Sequence, residues 1–383
     1  MHYAVVTETF PPEINGVALT VQSLEQGLRS RGHAVSVVRP RQATDAPAVP
    51  DTHLVRGLGL PRYPGLKFGV PATRALLRQW RAARPDAVYV ATEGPLGWSA
   101  LRAAAQLGIP AATGFHTRFD TYMRDYGLPA LAPVAMRWMR AFHNRAQATL
   151  VPTTELQEFL QGQGFDNVVR LPRAVDASLF DPARRDHALR ASWDLDDDGL
   201  AVVYVGRIAA EKNLELAVRA FRTLQEARPD ARFVFVGDGP ERARLEGEHP
   251  DFIFCGMQRD AALAAHFASG DMFVFPSRSE TFGNVTLEAM ASGVPTIAFR
   301  YGAAREHLAN GVHGAAVELH DEVGFVTACV RIGCNPMLRT QMRVAARRAV
   351  EDLRPDAVAA AFDALLQDLA LSRRPDAALA PSA

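Results

Sequence analysis

Glu280 and Glu288 stand in the stretch Pro276-Ser-Arg-Ser-Glu280-Thr-Phe282-Gly283-Asn284-Val-Thr-Leu-Glu288-Ala-Met-Ala-Ser-Gly293-Val-Pro295, which follows the apolar run Met272 to Phe275. Gly293 and Pro295 stop a helix that the pattern starts near Asn284, and Gly283 leaves room for backbone to approach a ligand closely. A helix N-terminus carries unpaired N–H groups and the positive end of a dipole, so it suits an anion, phosphate above all. Glu280 precedes this helix and Glu288 lies one turn inside it, so the two carboxylates can reach different parts of one elongated ligand. The plainer alternative is a surface helix with ordinary glutamates.

Val205-Gly206-Arg207-Ile-Ala-Ala-Glu-Lys212-Asn213 places two fixed cations before another helix. Arginine grips phosphate bidentately, while lysine supplies a point charge. Of the 42 basic residues only Lys67 and Lys212 are lysines, so a lysine kept here carries more weight than one on an ordinary solvated face. Val236-Gly237-Asp-Gly239-Pro240-Glu241 resembles the opening of a G-x-G-x-x-G dinucleotide fingerprint but lacks the third glycine. Asp194-Leu-Asp196-Asp-Asp198 contains a D-x-D pattern able to hold a divalent metal, yet it sits in a turn before a strand and reads as a solvated acidic loop. His307, His313 and His320 do not offer the i, i+4 pair of a zinc site, and no essential metal is expected.

The elements that must position these loops alternate along the chain. Tyr3 to Val6, a helical face of Val17, Val21, Leu24 and Leu28 ending at Gly32, and Ala34 to Val38 form a βαβ unit. The alternation continues through Ala87 to Val90, a helix through Leu107 stopped by Gly108 and Pro110, Ala111 to Phe115 and Ala148 to Val151. A second set starts at Ala201 to Val205 and repeats through Phe233 to Val236, Phe252 to Cys255, Met272 to Phe275 and Thr296 to Phe299. The expected fold class is α/β, with two tandem Rossmann-like parallel sheets facing each other across a cleft. Ligands of such sheets bind outside the carboxyl ends of the strands, where all three glycine-bearing loops fall. The expected division is 1–185 for the first domain and 186–355 for the second. A helix over 356–371, with Val358, Phe362, Leu365, Leu366 and Leu369, packs back on the first domain, and 372–383 form a tail.

With 383 residues, 48% of them hydrophobic and 22% charged, both domains can bury real cores. A formal net charge of zero argues against a nucleic-acid partner held by phosphate neutralisation. That zero hides a division: residues 1–185 carry 21 Lys and Arg against 14 Asp and Glu, net +7, and the remainder is net −7. Cys255, Cys329 and Cys334 are odd in number and lack zinc-like spacing, which fits a reduced, cytoplasmic protein. No stretch approaches the roughly 18 apolar residues of a membrane span, and the start reads as lacking an export signal.

The E-x7-E pair, Gly206-Arg207 with Glu211-Lys212-Asn213, and Val236-Gly-Asp-Gly-Pro together resemble the nucleotide-sugar glycosyltransferases of family 4, which have the GT-B fold, over nearly the whole chain. Thr7-Glu-Thr-Phe-Pro-Pro-Glu-Ile-Asn15-Gly16 resembles the glycine-bearing loop of that family, and Phe115-His116-Thr117-Arg-Phe-Asp120-Thr-Tyr122 the loop that meets the donor sugar. With Arg305-Glu306-His307, these details look most like the GDP-mannose-dependent α-mannosyltransferase branch, near the sulfolipid synthases. At Tyr301-Gly302-Ala-Ala-Arg305-Glu306 the chain departs from many relatives, which have paired glycines before Pro-Glu, and the departure bears on the donor sugar and base.

The resemblance implies roles residue by residue. Arg207 and Lys212 hold the diphosphate leaving group, with Gly16, Gly237 and the amides of Phe282, Gly283 and Asn284 nearby. Glu288 accepts hydrogen bonds from the ribose and Glu280 from hydroxyls of the donor sugar. His116 contacts the sugar close to its reacting carbon, and Asp120 and Tyr122 stand on the acceptor side. The family's net retention implies a same-face displacement assisted by the leaving phosphate, with GDP-mannose as donor substrate and no tightly bound cofactor. Physical logic agrees, because departure of a nucleoside diphosphate builds negative charge that fixed cations and a helix dipole stabilise. Two carboxylates alone would fit a glycosidase, which has no use for phosphate-binding loops. The expected reaction moves mannose to a lipid or glycan acceptor. The alternatives are a transferase using a UDP-sugar, of glycolipid or sulfolipid type, and a nucleotide-sugar 2-epimerase of the same fold.

Arg74, Arg78, Arg81 and Arg84 share one helical face while Leu76, Leu77, Trp80 and Ala83 cover the other, and Arg137-Trp138-Met-Arg140-Ala-Phe142-His-Asn-Arg145 repeats the mixture. Such helices can lie on anionic lipid. The expectation is a cytoplasmic protein, peripheral on the inner face of the cell membrane, whose basic half receives a lipid acceptor. The alternative is that both apolar faces pack on the sheet and the arginines are solvated.

Overall fold

The computed structural model describes residues 1–372 other than 14, 43–44, 46–49, 61–62, 117–131, 197, 279 and 281. Two compact units result, one of residues 1–173 with the segment from Pro355 onward, the other of residues 174–354. In the first, the strands are β1 (His2–Val6), β2 (Ala34–Pro40), β3 (Thr52–Val55), β4 (Gly57–Leu60), β5 (Tyr63–Gly69), β6 (Ala87–Val90), β7 (Ala111–Gly114), β8 (Ala148–Val151) and β9 (Val168–Arg170). Seven of them form a parallel sheet in the order β3-β2-β1-β6-β7-β8-β9, while β4 and β5 pair as an antiparallel hairpin. The central strands β6, β7 and β8 are buried throughout and apolar but for Thr113 and Thr149, as expected of a sheet covered by helices on both faces.

The second unit repeats the plan with β10 (Ala201–Val205), β11 (Arg232–Val236), β12 (Ile253–Phe254), β13 (Met272–Phe275), β14 (Thr296–Phe299) and β15 (Gly314–Val317), ordered β12-β11-β10-β13-β14-β15. Val203 lies opposite both Val234 and Phe273, in register on its two neighbours. The helix Leu214–Ala227 buries Leu214, Val218, Phe221 and Leu224, and Phe221 stacks on Phe233 with centroids 4.8 Å apart. A buried side chain of that size contributes about 1.5 to 3 kcal/mol. In each sheet the chain winds outward from a central strand in both directions. The crossover direction reverses between β1 and β6 in the first and between β10 and β13 in the second, and a crevice opens at the carboxyl ends of such neighbours.

The change of unit falls at Arg173 and Ala174, earlier than the expected boundary near Asp186. Hydrogen bonding explains the shift: Val175 N donates to Leu353 O, and the Arg347 guanidinium donates to the carbonyls of Ala177 and Phe180, so this irregular segment is bound to the second unit. The helix Pro355–Leu371 belongs to the first unit, with Val358, Phe362 and Leu366 buried and Phe362 set edge-on against Tyr89 at 5.0 Å. Asp363 on that helix is held by Arg31 and His33, each at 2.8 Å. Residues 373–383 of the expected tail lie outside the described residues.

The two basic helices differ. In Thr73–Ala82, Leu76 and Trp80 are buried in the core of the first unit while Arg74, Arg78 and Arg81 are exposed, so this apolar face is spent on the core. In Ala132–His143, Val134 and Trp138 stay 65% and 42% exposed beside exposed Arg137 and Arg140. Among the described residues no helix is long and apolar enough to cross a membrane.

Candidate active site

The reversal point of the second sheet brings together the loops after β10 and β13; two side-chain contacts join them and one more braces each loop internally. Lys212 closes the short turn Ala210–Lys212, and its ammonium forms an ion pair with the Glu280 carboxylate. Ser277 Oγ donates to the same carboxylate at 2.8 Å. Asn213, held at φ 56°, sends its Nδ2 to Pro276 O at 3.3 Å. Arg207, half-exposed, rests on Glu211 at 3.3 Å. The Lys212 and Glu280 side chains are only 17% and 19% exposed, so solvent screens their attraction much less than at an open surface.

Gly283 adopts φ 87°, ψ 65° at the start of the helix Asn284–Ala291, a conformation that favours glycine. An α-helix leaves its first N–H groups without an i−4 partner, and here Thr286 N turns instead to Gly283 O at 3.0 Å. Phe282 is buried, and its carbonyl accepts from Ala303 N at 2.7 Å, which ties this loop to the one after β14. Burial raises the Glu288 carboxyl to about 7. Gly237 has φ 144°, and a Cβ there would overlap the Gly206 carbonyl, so close packing of the loops after β10 and β11 explains this glycine.

Asp194, Asp196 and Asp198 line a cavity of about 340 Å³ with Arg228, Asp230 and Arg232. It lies before β10 and β11, at the opposite edge of the sheet from the phosphate-type loops, and Asp196 spends an oxygen on the amides of Asp198 and Gly199. Among the described residues no group of three His, Cys, Asp or Glu side chains is placed to hold a metal ion.

In the first unit, Gly16 opens the helix Gly16–Ser30, and Asn15 Oδ1 caps it by accepting from Val17 N and Ala18 N at 3.1 and 2.9 Å. Glu8, also after β1, is buried and accepts from Leu96 N at 2.9 Å and from Gly69 N. Burial raises its carboxyl to about 7 against the pull of these amides. His116 follows β7 and is 7% exposed. Its Nε2 lies 3.0 Å from Tyr89 Oη, and its Nδ1 accepts from Arg173 Nη2 at 2.6 Å. Burial, then the charges of Arg173 and His143, hold this imidazole well below the usual histidine range. Asp120 and Tyr122 lie outside the described residues.

Sequence reading missed Ser277, Asn213, Tyr89 and Arg173 as partners of the named side chains. Ser277 stands inside the quoted loop, where a hydroxyl close before Glu280 was a usable signal. Tyr89 and Arg173 reach His116 from distant strand ends, a meeting no spacing announces.

Residues 14–179 match the family model described as Glycosyltransferase Family 4, and residues 199–335 that of Glycosyl transferases group 1. A GDP-mannose-dependent alpha-mannosyltransferase of Mycolicibacterium smegmatis is 39% identical over 317 residues, 81% of this chain and 82% of that protein. A GDP-mannose-dependent alpha-(1-6)-phosphatidylinositol dimannoside mannosyltransferase of Mycobacterium tuberculosis is 30% identical over 386 residues, 98% of each chain. Among solved structures, sucrose-phosphate synthase from Thermosynechococcus elongatus superposes with a TM-score of 0.77 at 20% identity, covering 97% of this chain and 99% of that one, a likeness of fold alone.

Proposed function

The chain belongs to glycosyltransferase family 4 and has the GT-B fold, and on that premise we propose that it moves mannose from GDP-mannose to a lipid-linked or glycan acceptor with retention at the anomeric carbon. The observation that carries this reading is the locked pair of loops at the reversal point of the second sheet, with Lys212, Arg207 and a helix N-terminus converging there. As the bond from the anomeric carbon to the diphosphate breaks, its electron pair stays on the phosphate oxygen. Lys212 and Arg207, with the amides of Phe282, Gly283 and Asn284, are already in place around the bound diphosphate and stabilise that charge as it forms. Gly16 and Gly237 keep backbone close to the diphosphate. Glu280 accepts from hydroxyls of the sugar, Glu288 from those of the ribose, and His116 contacts the sugar near its reacting carbon. Asp120 and Tyr122 serve the acceptor.

Mannose and guanine are favoured by the two GDP-mannose-dependent relatives, and a lipid acceptor by the phosphatidylinositol dimannoside substrate that the second is named for. An acceptor of that kind would be met at an anionic membrane surface. The segment Ala132–His143 fits that task better than Thr73–Ala82, because Val134 and Trp138 remain exposed beside arginines. Titration calorimetry on the purified chain tests the donor: GDP should bind at least tenfold more tightly than UDP. Tight UDP and negligible GDP binding would overturn the GDP-mannose assignment.

A further inference from the structure

His116 is folded back over β7: a Cβ on Gly114 would overlap both its Nε2 and Tyr89 Oη, so the glycine makes room for the ring. The two contacts of the imidazole are not equivalent. A guanidinium only donates hydrogen bonds, so the 2.6 Å contact from Arg173 Nη2 obliges Nδ1 to be the bare, accepting nitrogen. A neutral imidazole then carries its one hydrogen on Nε2, which points at Tyr89 Oη 3.0 Å away. Tyr89 is buried on β6, and Arg173 lies in the segment that follows β9.

Resting on the reading of His116 as the sugar contact, we infer that Arg173 is the positioning residue for it. By occupying Nδ1, its guanidinium leaves the imidazole a single hydrogen to give, on Nε2, so that toward a sugar hydroxyl His116 acts only as a hydrogen-bond donor. Tyr89 holds that N–H when no sugar is present, and binding of the donor exchanges the phenol oxygen for a sugar oxygen. No proton is transferred in the exchange. Arg173 keeps the ring neutral as well as oriented, since a second proton would have to sit on Nδ1 against a fixed cation. Burial and the nearby His143 act in the same direction, and Glu93, hydrogen-bonded to His143 at 3.3 Å, is the acidic group closest to this cluster through hydrogen bonds.

The full chain labelled with 15N-histidine decides the matter, with His116 identified by its loss in His116→Ala. Long-range 1H–15N correlation should show Nε2 protonated and Nδ1 bare from pH 5 to pH 8. In Arg173→Leu the ring should sample both tautomers and become cationic at the acid end. That variant should lose at least tenfold in kcat/KM for GDP-mannose, most at low pH, while binding GDP alone within twofold of the parent, because GDP lacks the sugar. Arg173→Lys, which keeps a donor toward Nδ1, should recover part of the loss. An Arg173→Leu enzyme with the parental tautomer or undiminished kcat/KM would overturn the role of Arg173 even where His116→Ala is impaired. An undiminished His116→Ala enzyme would instead sink the sugar-contact reading and this role with it.

Discussion

The ammonium of Lys212 rests on the carboxylate of Glu280, joining the loop after β10 to the loop after β13 across the reversal point of the second sheet. A cation suited to a diphosphate is thus neutralised by the residue assigned to the sugar. On the proposed reading, donor binding exchanges partners here: phosphate takes the lysine and sugar hydroxyls take the carboxylate, while the Ser277 hydroxyl, 2.8 Å from Glu280, stays on the carboxylate.

Removing the charge of Glu280 therefore separates the two halves of the donor. Glu280→Gln frees Lys212 and relieves repulsion of the diphosphate, so GDP should bind severalfold more tightly while turnover of GDP-mannose drops about 100-fold. Lys212→Ala should weaken GDP binding by about 1.5 to 3 kcal/mol, the range for a hydrogen bond to a charged group. Calorimetry with GDP reads both, and weaker GDP binding in Glu280→Gln would contradict the exchange.

Glu288 predicts a pH dependence of nucleotide binding. Its carboxyl stands at about 7 in the free protein through burial, and ribose hydroxyls favour the carboxylate. Affinity for GDP should accordingly be full above about pH 7 and fall as pH drops toward 5, by at most about tenfold per unit. Binding near pH 6 should release protons, read as a difference in calorimetric enthalpy between buffers of unlike ionisation heat. Glu288→Gln should flatten the profile, and an unchanged slope in that variant would remove Glu288 from the ribose.

Asp363 predicts where acid loosens the C-terminal helix. Burial alone would raise its carboxyl, but hydrogen bonds from Arg31, Gln367 and His33 outweigh that and lower it to about 2. A folded value below the unfolded one means stability that is present above about pH 4 and lost as pH falls through about 2. Asp363→Asn should cost on the order of 2 kcal/mol in urea unfolding at pH 7, a deficit that shrinks toward zero as pH falls through about 2. A deficit independent of pH would assign the residue a packing role only.

Vesicle sedimentation tests the membrane surface. Binding should rise with anionic lipid and fall with salt, at about 1 kcal/mol per arginine near the surface. Trp138→Ala with Arg137→Gln should weaken it more than Arg74, Arg78 and Arg81 changed together to Gln at moderate salt, because of the two segments Ala132–His143 is the one that keeps large apolar side chains, Val134 and Trp138, exposed. Equal partitioning to neutral and anionic vesicles, or none, would leave a soluble acceptor.

Strands of branched or aromatic residues, such as Ala201–Val205 and Thr296–Phe299, were legible in the sequence because burial on both faces demands unbroken apolar runs. Of the four edge strands only Ile253–Phe254 was, as the run Phe252 to Cys255. Gly314–Val317 is built of small residues, Val168–Arg170 is three residues long, and Thr52–Val55 follows a proline-rich stretch, so none carries a strong local pattern. Loop chemistry was legible where glycine and charge cluster, as at Gly206 to Lys212 and Glu280 to Glu288. The pairing of Lys212 with Glu280 and of His116 with Arg173 and Tyr89 depends on strand order, which local spacing does not encode. The apolar face of Thr73–Ala82 was visible as a pattern, but only the fold shows that it is buried in the core of the first unit.

The most direct test is transfer itself. The purified chain incubated with GDP-mannose and a lipid extract, in the presence of a metal chelator, should release GDP in step with a lipid heavier by one hexose, in α-linkage by NMR, and Lys212→Ala should abolish both. Product formed from a UDP-sugar while GDP-mannose is left untouched, or activity that vanishes with chelator and returns with manganese or magnesium, would contradict the account.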